Sequence, residues 1–153
     1  MRKKCRRKVW STQINPIAHA IAGASITDTA SLNQLRIGEI AAIEAMKNGT
    51  ADVQDWKTLV DMMNIAEMMG KNGIGAEVLE HCEVATQALY DAAKRYEKTK
   101  RMGLTGAGLR AIGDIMEYHD LQRSSVPRST YEHMIDKTRN YLRGRGKDVT
   151  VIE

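Results

Sequence analysis

Residues 53–70 read VQDWKTLVDMMNIAEMMG, and the placing of their apolar side chains decides the fold class. Val53, Trp56, Leu59, Val60, Met62, Met63, Ile65, Ala66 and Met69 recur at intervals of three and four. That is the period of an α-helix, not the alternation of a strand. On a helical projection they cover well over half of the circumference, so the helix is expected at the centre of a bundle with neighbours on several sides. A Met-lined face left open for a partner is the competing reading. Interior packing outweighs it, because Met fills irregular core space. Thr50 or Asp52 is placed to cap the start of this helix, and Gly70 marks its end.

Toward the N-terminus, a helix is expected from about Asp28–Ser31 to Asn48, with Gly49 taking the left-handed cap. Its Leu32, Leu35, Ile40, Ile43 and Met46 face largely one way, and Ile37 widens the stripe. Earlier still, Asn15-Pro16 combines an N-cap with proline at the first helical position. It opens a short helix with Ile17, Ala18 and Ile21 that stops near Gly23.

Toward the C-terminus, Lys71-Asn72-Gly73-Ile74-Gly75 is a break. The longest helix, about Ala76 to Arg101, has Val78, Leu79, Cys82, Ala85, Leu89, Ala92, Ala93 and Tyr96 as its seam. Its charges pass from Glu77, Glu80 and Glu83 to Lys94, Arg95, Lys98, Lys100 and Arg101, an order that suits the helix macrodipole. Thr105 caps a fifth helix with Leu109, Ile112, Ile115, Met116 and His119, ending at Ser124-Ser125 before Pro127. Ser129-Thr130-Tyr131-Glu132 fits a capping box for a sixth, which Tyr131, Met134, Ile135, Thr138, Tyr141 and Leu142 continue until Gly144 and Gly146. Val149-Thr150-Val151-Ile152 is the only β-like run and is too short for a sheet. The expected fold is all-α: a single compact bundle of five to six helices, mainly antiparallel. Residues 1–14 form a basic arm, 15–146 the helical domain and 147–153 a polar tail.

A chain of 153 residues, 42% hydrophobic and 27% charged, is long enough for one domain with its own core. Aromatic residues are only 5% and Phe is absent, whereas there are nine Met, so the core is expected to be loosely specified. Cys5 and Cys82 belong to no paired motif, which argues against a disulfide framework and for a reducing, cytoplasmic setting. The cations around Cys5 should lower its pKa. No run approaches the roughly 18 apolar residues of a membrane span. The N-terminal stretch also lacks the uninterrupted apolar region of a signal peptide.

Charge is the strongest functional clue. Arg2, Lys3, Lys4, Arg6, Arg7 and Lys8 place six cations in the first eight residues, and no acidic residue precedes Asp28. The chain has 23 basic and 19 acidic residues, net +4; without those six cations the remainder is 17 against 19, net −2. A cationic arm on a nearly neutral body seeks phosphate or an acidic protein surface. With Trp10 to stack on a base, the arm points to nucleic acid bound with strong salt dependence; a solubilising leader is the bland alternative. Lys137, Arg139, Arg143, Arg145 and Lys147 form a second cationic group, of which Arg139, Arg143 and Arg145 join the arm as candidate binding residues. Leu121 to Arg143 can also be read as a helix-turn-helix with Ser129, Thr130 and Arg139 as groove contacts. Its Ser-Ser-Val-Pro-Arg connector departs from the usual short Gly-containing turn.

Catalytic and metal signatures are missing. His19, His81, His119 and His133 offer no Glu-x-x-His pairs of the kind used in di-iron bundles. Glu117-Tyr118-His119-Asp120 and Glu80-His81-Cys82-Glu83 put adjacent side chains about 100° apart on a helix, too divergent to share one ion. His119, on an apolar seam, reads as a hydrogen-bonded core histidine. Gly103-Leu104-Thr105-Gly106-Ala107-Gly108 lacks the Lys-Ser/Thr of a phosphate loop, and no strand precedes it. No nucleophile elbow is present. A non-enzymatic protein with no metal and no cofactor is expected; self-association is compatible with the apolar surface of the third and fourth helices.

Laid out in this way, the chain resembles a group of small uncharacterised helical proteins encoded by phages and prophages of Pseudomonas- and Burkholderia-type bacteria. The resemblance rests on the basic leader running into Asn15-Pro16-Ile17, on Ala42-Ile43-Glu44-Ala45-Met46, on Asp52 to Met69, on the Gly73-Ile74-Gly75 break and on Glu117-Tyr118-His119-Asp120-Leu121-Gln122. It implies a phage accessory role in the bacterial host cytoplasm and carries over no catalytic residue. The expectations are therefore nucleic-acid binding through the arm or, alternatively, inhibition of a host polymerase or defence complex, or a helix-turn-helix-like regulator.

Overall fold

A computed structural model describes residues 23–146 and residue 152. The basic arm, the helix expected after Asn15-Pro16 and nearly all of the tail lie outside the described residues. Among those described, the chain forms five α-helices and no strand: α1 (Thr29–Asn48), α2 (Val53–Lys71), α3 (Leu79–Thr99), α4 (Gly106–Ser125) and α5 (Arg128–Gly144). A single 3₁₀ turn, Ala76–Val78, leads into α3.

Local chemistry sets most of the boundaries. Asp28 accepts from the Ser31 amide (2.9 Å) and hydroxyl (2.7 Å), and α1 stops at Gly49 with φ 68°. At the start of α2, Asp52 and Asp55 each accept the other's backbone N–H, a reciprocal capping box. Thr105 Oγ1 accepts from the Gly108 amide to begin α4. The capping box expected for α5 does not form. Pro127 occupies the N-cap position and Ser129 lies inside the first turn. Glu132 instead accepts from Arg128 Nε at 2.7 Å, so its carboxylate is taken by a cation one turn away and not by a cap amide.

The expectation for residues 53–70 holds: α2 packs against all four other helices. Trp56 Nε1 donates to Leu89 O at 2.9 Å, and Thr86 Oγ1 donates to Met63 Sδ at 3.1 Å, pairing α2 antiparallel with α3. Six of the eight methionines among the described residues (Met46, Met62, Met63, Met69, Met102 and Met134) are buried. Ile152 is buried in the same core. Tyr131 and Met134 bring α5 onto α2 around Met69.

The two ends of the bundle are distinct. At one, the α1–α2 and α3–α4 connections meet in the bridge Ala51↔Met102. At the other, Ile26 bridges Pro127, and the Arg128 amide donates to Ser25 O at 2.8 Å. The apolar stripe expected on α1 is only half inside. Leu32, Ala42 and Met46 are buried, but Leu35, Ile37 and Ile40 are 41%, 67% and 44% exposed. The inward position between them is Glu39, a buried carboxylate.

Candidate functional site

Glu39 is the entry to a polar network that the sequence did not announce. Arg123 on α4 is fully buried and donates from Nη1 and Nη2 to the two Glu39 oxygens, both at 2.7 Å. The fork matches the carboxylate in bidentate fashion, the arrangement that best offsets desolvation of both charges. Arg123 also donates to Asp120 (3.1–3.2 Å), which is held on its other side by Arg36 Nε at 2.7 Å and by Arg36 Nη2. Burial opposes ionisation of Asp120, but the hydrogen bonds from Arg36 and Arg123 prevail and hold its carboxyl below the usual value. For Arg123 burial likewise opposes the charge, and the Glu39 and Asp120 carboxylates override it.

A neutral chain of hydrogen bonds lies beside this charged cluster. Gln122 Nε2 donates to Ile74 O (2.7 Å) and Ala66 O (3.2 Å), which turns Oε1 toward His119 Nδ1 at 3.0 Å. Nδ1 therefore carries the proton, and Nε2 faces the Tyr131 hydroxyl at 3.4 Å as acceptor. Burial pushes the His119 pKa down to about 4. His119 is the hydrogen-bonded core histidine expected from its seam position. Its neighbours Glu117 and Asp120 point elsewhere, as the helical geometry requires.

A cavity of about 280 Å³ opens over this region, lined among others by Leu35, Glu39, Asp61, Met62, His119 and Tyr131. Its walls are mainly apolar, Glu39 is already committed to Arg123, and half-burial raises the Asp61 carboxyl. Thr58 and Tyr131 bring the hydroxyls that line it. On the opposite flank His81, Asp114, Glu117, Tyr118 and Leu121 line a shallow cleft of about 330 Å³, with His81 Nδ1 3.4 Å from Asp114. Among the described residues, no three His, Cys, Asp or Glu side chains converge to hold a metal ion. Cys82 donates to Val78 O, and burial lifts its thiol to about 11, leaving it protonated and unreactive at neutral pH.

The candidate binding residues are only partly within view. Arg2, Lys3, Lys4, Arg6, Arg7, Lys8 and Trp10 lie outside the described residues. Arg139 is exposed on α5, 3.6 Å from Asp136. Arg143 is exposed on the last turn, and Arg145, at the C-cap, covers the Tyr141 ring at 5.6 Å and donates to its hydroxyl at 2.8 Å. Of the groove contacts considered for a helix-turn-helix, Ser129 is exposed and Thr130 half-buried, both in the first turn of α5. Among the described residues, no helix is long and apolar enough to cross a membrane.

Charge is also uneven along the chain. Residues 23–93 carry four basic and eleven acidic side chains, whereas residues 94–146 carry twelve and six. Comparison with protein-family models, with curated proteins and with solved structures finds no match.

Proposed function

We propose that this is a non-enzymatic accessory protein of phage type, working in the bacterial host cytoplasm, that binds nucleic acid through its basic N-terminal arm. The observation that carries the reading is uneven charge: six cations in the first eight residues precede a body whose first stretch is mainly acidic and whose second is mainly basic. Such asymmetry favours a polyanionic partner engaged by long-range attraction. Arg2 to Lys8 supply the phosphate contacts, Trp10 supplies stacking, and Arg139, Arg143 and Arg145 extend the cationic surface. The phage setting is supported by the resemblance alone.

The test is a titration of full-length protein against labelled nucleic acid over a range of salt. Six phosphate contacts give a log–log slope of about −5 on duplex, and deletion of residues 2–8 removes most of it. A flat salt response with unchanged affinity on deletion defeats the reading.

A second reading, inhibition of a host machine by protein docking, is favoured by Leu35, Ile37 and Ile40, three exposed aliphatic residues within six positions of α1. Recovery of a single host protein from lysate, unaffected by nuclease, would choose it over direct nucleic-acid binding.

A further inference from the structure

The corner where α3 turns into α4 gathers five cations in eight residues: Lys94, Arg95, Lys98, Lys100 and Arg101, all exposed. Glu97 is the one acidic residue among them, and it is taken up by Lys94 at 3.4 Å. We infer that this corner is a second phosphate-binding surface, on the folded body itself, for the backbone of the same nucleic acid strand or duplex. The inference rests on the nucleic-acid reading above and adds a site that the arm does not contain.

Three observations carry it. First, the macrodipole order expected from the sequence reaches only the last turn of a helix, and α3 ends at Thr99. Lys94 and Arg95 stand one turn further back on α3, beyond that reach. Second, Lys100 adopts φ 56° and is the only non-glycine residue at positive φ among the described residues. It occupies the left-handed C-cap position that Gly49 fills on α1. Glycine takes that conformation without the steric cost a lysine bears, so the cation at this position comes at a backbone cost. Third, the cations are held in place from below. Lys100 lies 5.3 Å above the Tyr96 ring, Lys94 lies 5.5 Å above the Tyr90 ring, and Arg95 Nη1 donates to Gly103 O at 2.9 Å. Neither the Lys98 nor the Arg101 side chain has a partner among the described residues.

The geometry suits a polyphosphate backbone better than a single anion. Lys94 and Lys98 project from one helix face about 6 Å apart along the axis, close enough to address neighbouring phosphates. Tyr90, half-exposed beside Lys94, offers a ring on which an unpaired base can stack. An acidic protein would satisfy the same charges. The regular spacing and the adjacent aromatic rings favour nucleic acid.

The experiment uses the full chain and labelled random-sequence DNA of about 24 nucleotides, single-stranded and duplex, at several salt concentrations. The double variant Lys94→Gln/Lys98→Gln is compared with Lys57→Gln/Lys71→Gln, which removes the same charge from α2. The corner variant should weaken binding by roughly tenfold or more and reduce the salt slope by nearly 2, and the control should stay within about twofold. Lys100→Gly separates structure from binding: thermal stability should rise while affinity falls. The inference is overturned if the two double variants bind alike, or if Lys100→Gly gains stability with affinity intact. If arm deletion still abolishes binding in that case, the arm reading stands and only the corner fails. If wild-type protein shows no salt-dependent binding to either DNA, both fail together.

Discussion

Arg123 shows how much depends on a side chain that looks, in the sequence, like ordinary helix surface. Glu39 and Arg123 are 84 positions apart, and as charged residues both read as solvent-facing. Only the packing of α1 on α4 makes them a buried pair. Removing one partner strands the other charge in the interior, so Arg123→Met should cost about 3–5 kcal/mol in urea or guanidinium unfolding. Replacing both, Glu39→Met with Arg123→Met, should recover most of that loss, because no uncompensated charge is left. His119 makes a different prediction. Its pKa is about 4 when folded against a reference of 6.5, so the unfolded chain takes up the proton first as pH falls. The stability is fully present above pH 6.5 and is lost toward pH 4, by on the order of 3 kcal/mol. The depressed Asp120 carboxyl acts lower, below its reference value of 3.8. His119→Phe should be less stable at pH 7, with Gln122 Oε1 left without its His119 partner. Its stability should nevertheless change less between pH 6.5 and 4.

At the scale of the helix, legibility follows the range of the interactions involved. The starts of α1, α2 and α4 and the Gly49 stop could be read because the signals lie within three or four residues. The α5 start misled for the opposite reason: Ser129 and Glu132 have the right spacing, but Pro127 and the tether to Ser25 set the boundary from outside. On α1 the helical period was correct and the buried face was not. A carboxylate at the inward position displaced Leu35 and Ile40 toward solvent, and only the partner helix reveals that. Close approach of helices is equally silent in sequence. A Cβ added at Gly108 would lie 2.7 Å from Ala88 Cβ, so α3 and α4 meet there almost backbone to backbone. Gly108→Ala should improve helix propensity yet destabilise the protein by roughly 1–3 kcal/mol, since neither methyl can rotate away. Thermal unfolding would measure the net change, and a rise in stability would show that the two helices are free to separate.

At the scale of the molecule, the all-helical class was legible from residues 53–70 because the centrality of α2 is written in the number of its apolar sides. The buried network was not legible, since four of its members (Arg36, Glu39, Asp120 and Arg123) are charged residues that composition assigns to the surface. The charge separation could be read in part. The arm stands out as a local run, whereas the contrast between residues 23–93 and 94–146 emerges only over long spans.

The layout of the two ends sets a minimum footprint. The chain enters the described body beside Pro127 and Arg128, at the far end of α4, while the Lys94–Arg101 corner sits beside its beginning. Twenty residues of α4 put about 30 Å between them. A duplex reaching from the corner to the chain's point of entry spans at least about nine base pairs. A shorter duplex can engage the corner without reaching that entry, so an affinity that stops rising well below nine base pairs would mean that the DNA does not run the length of the body.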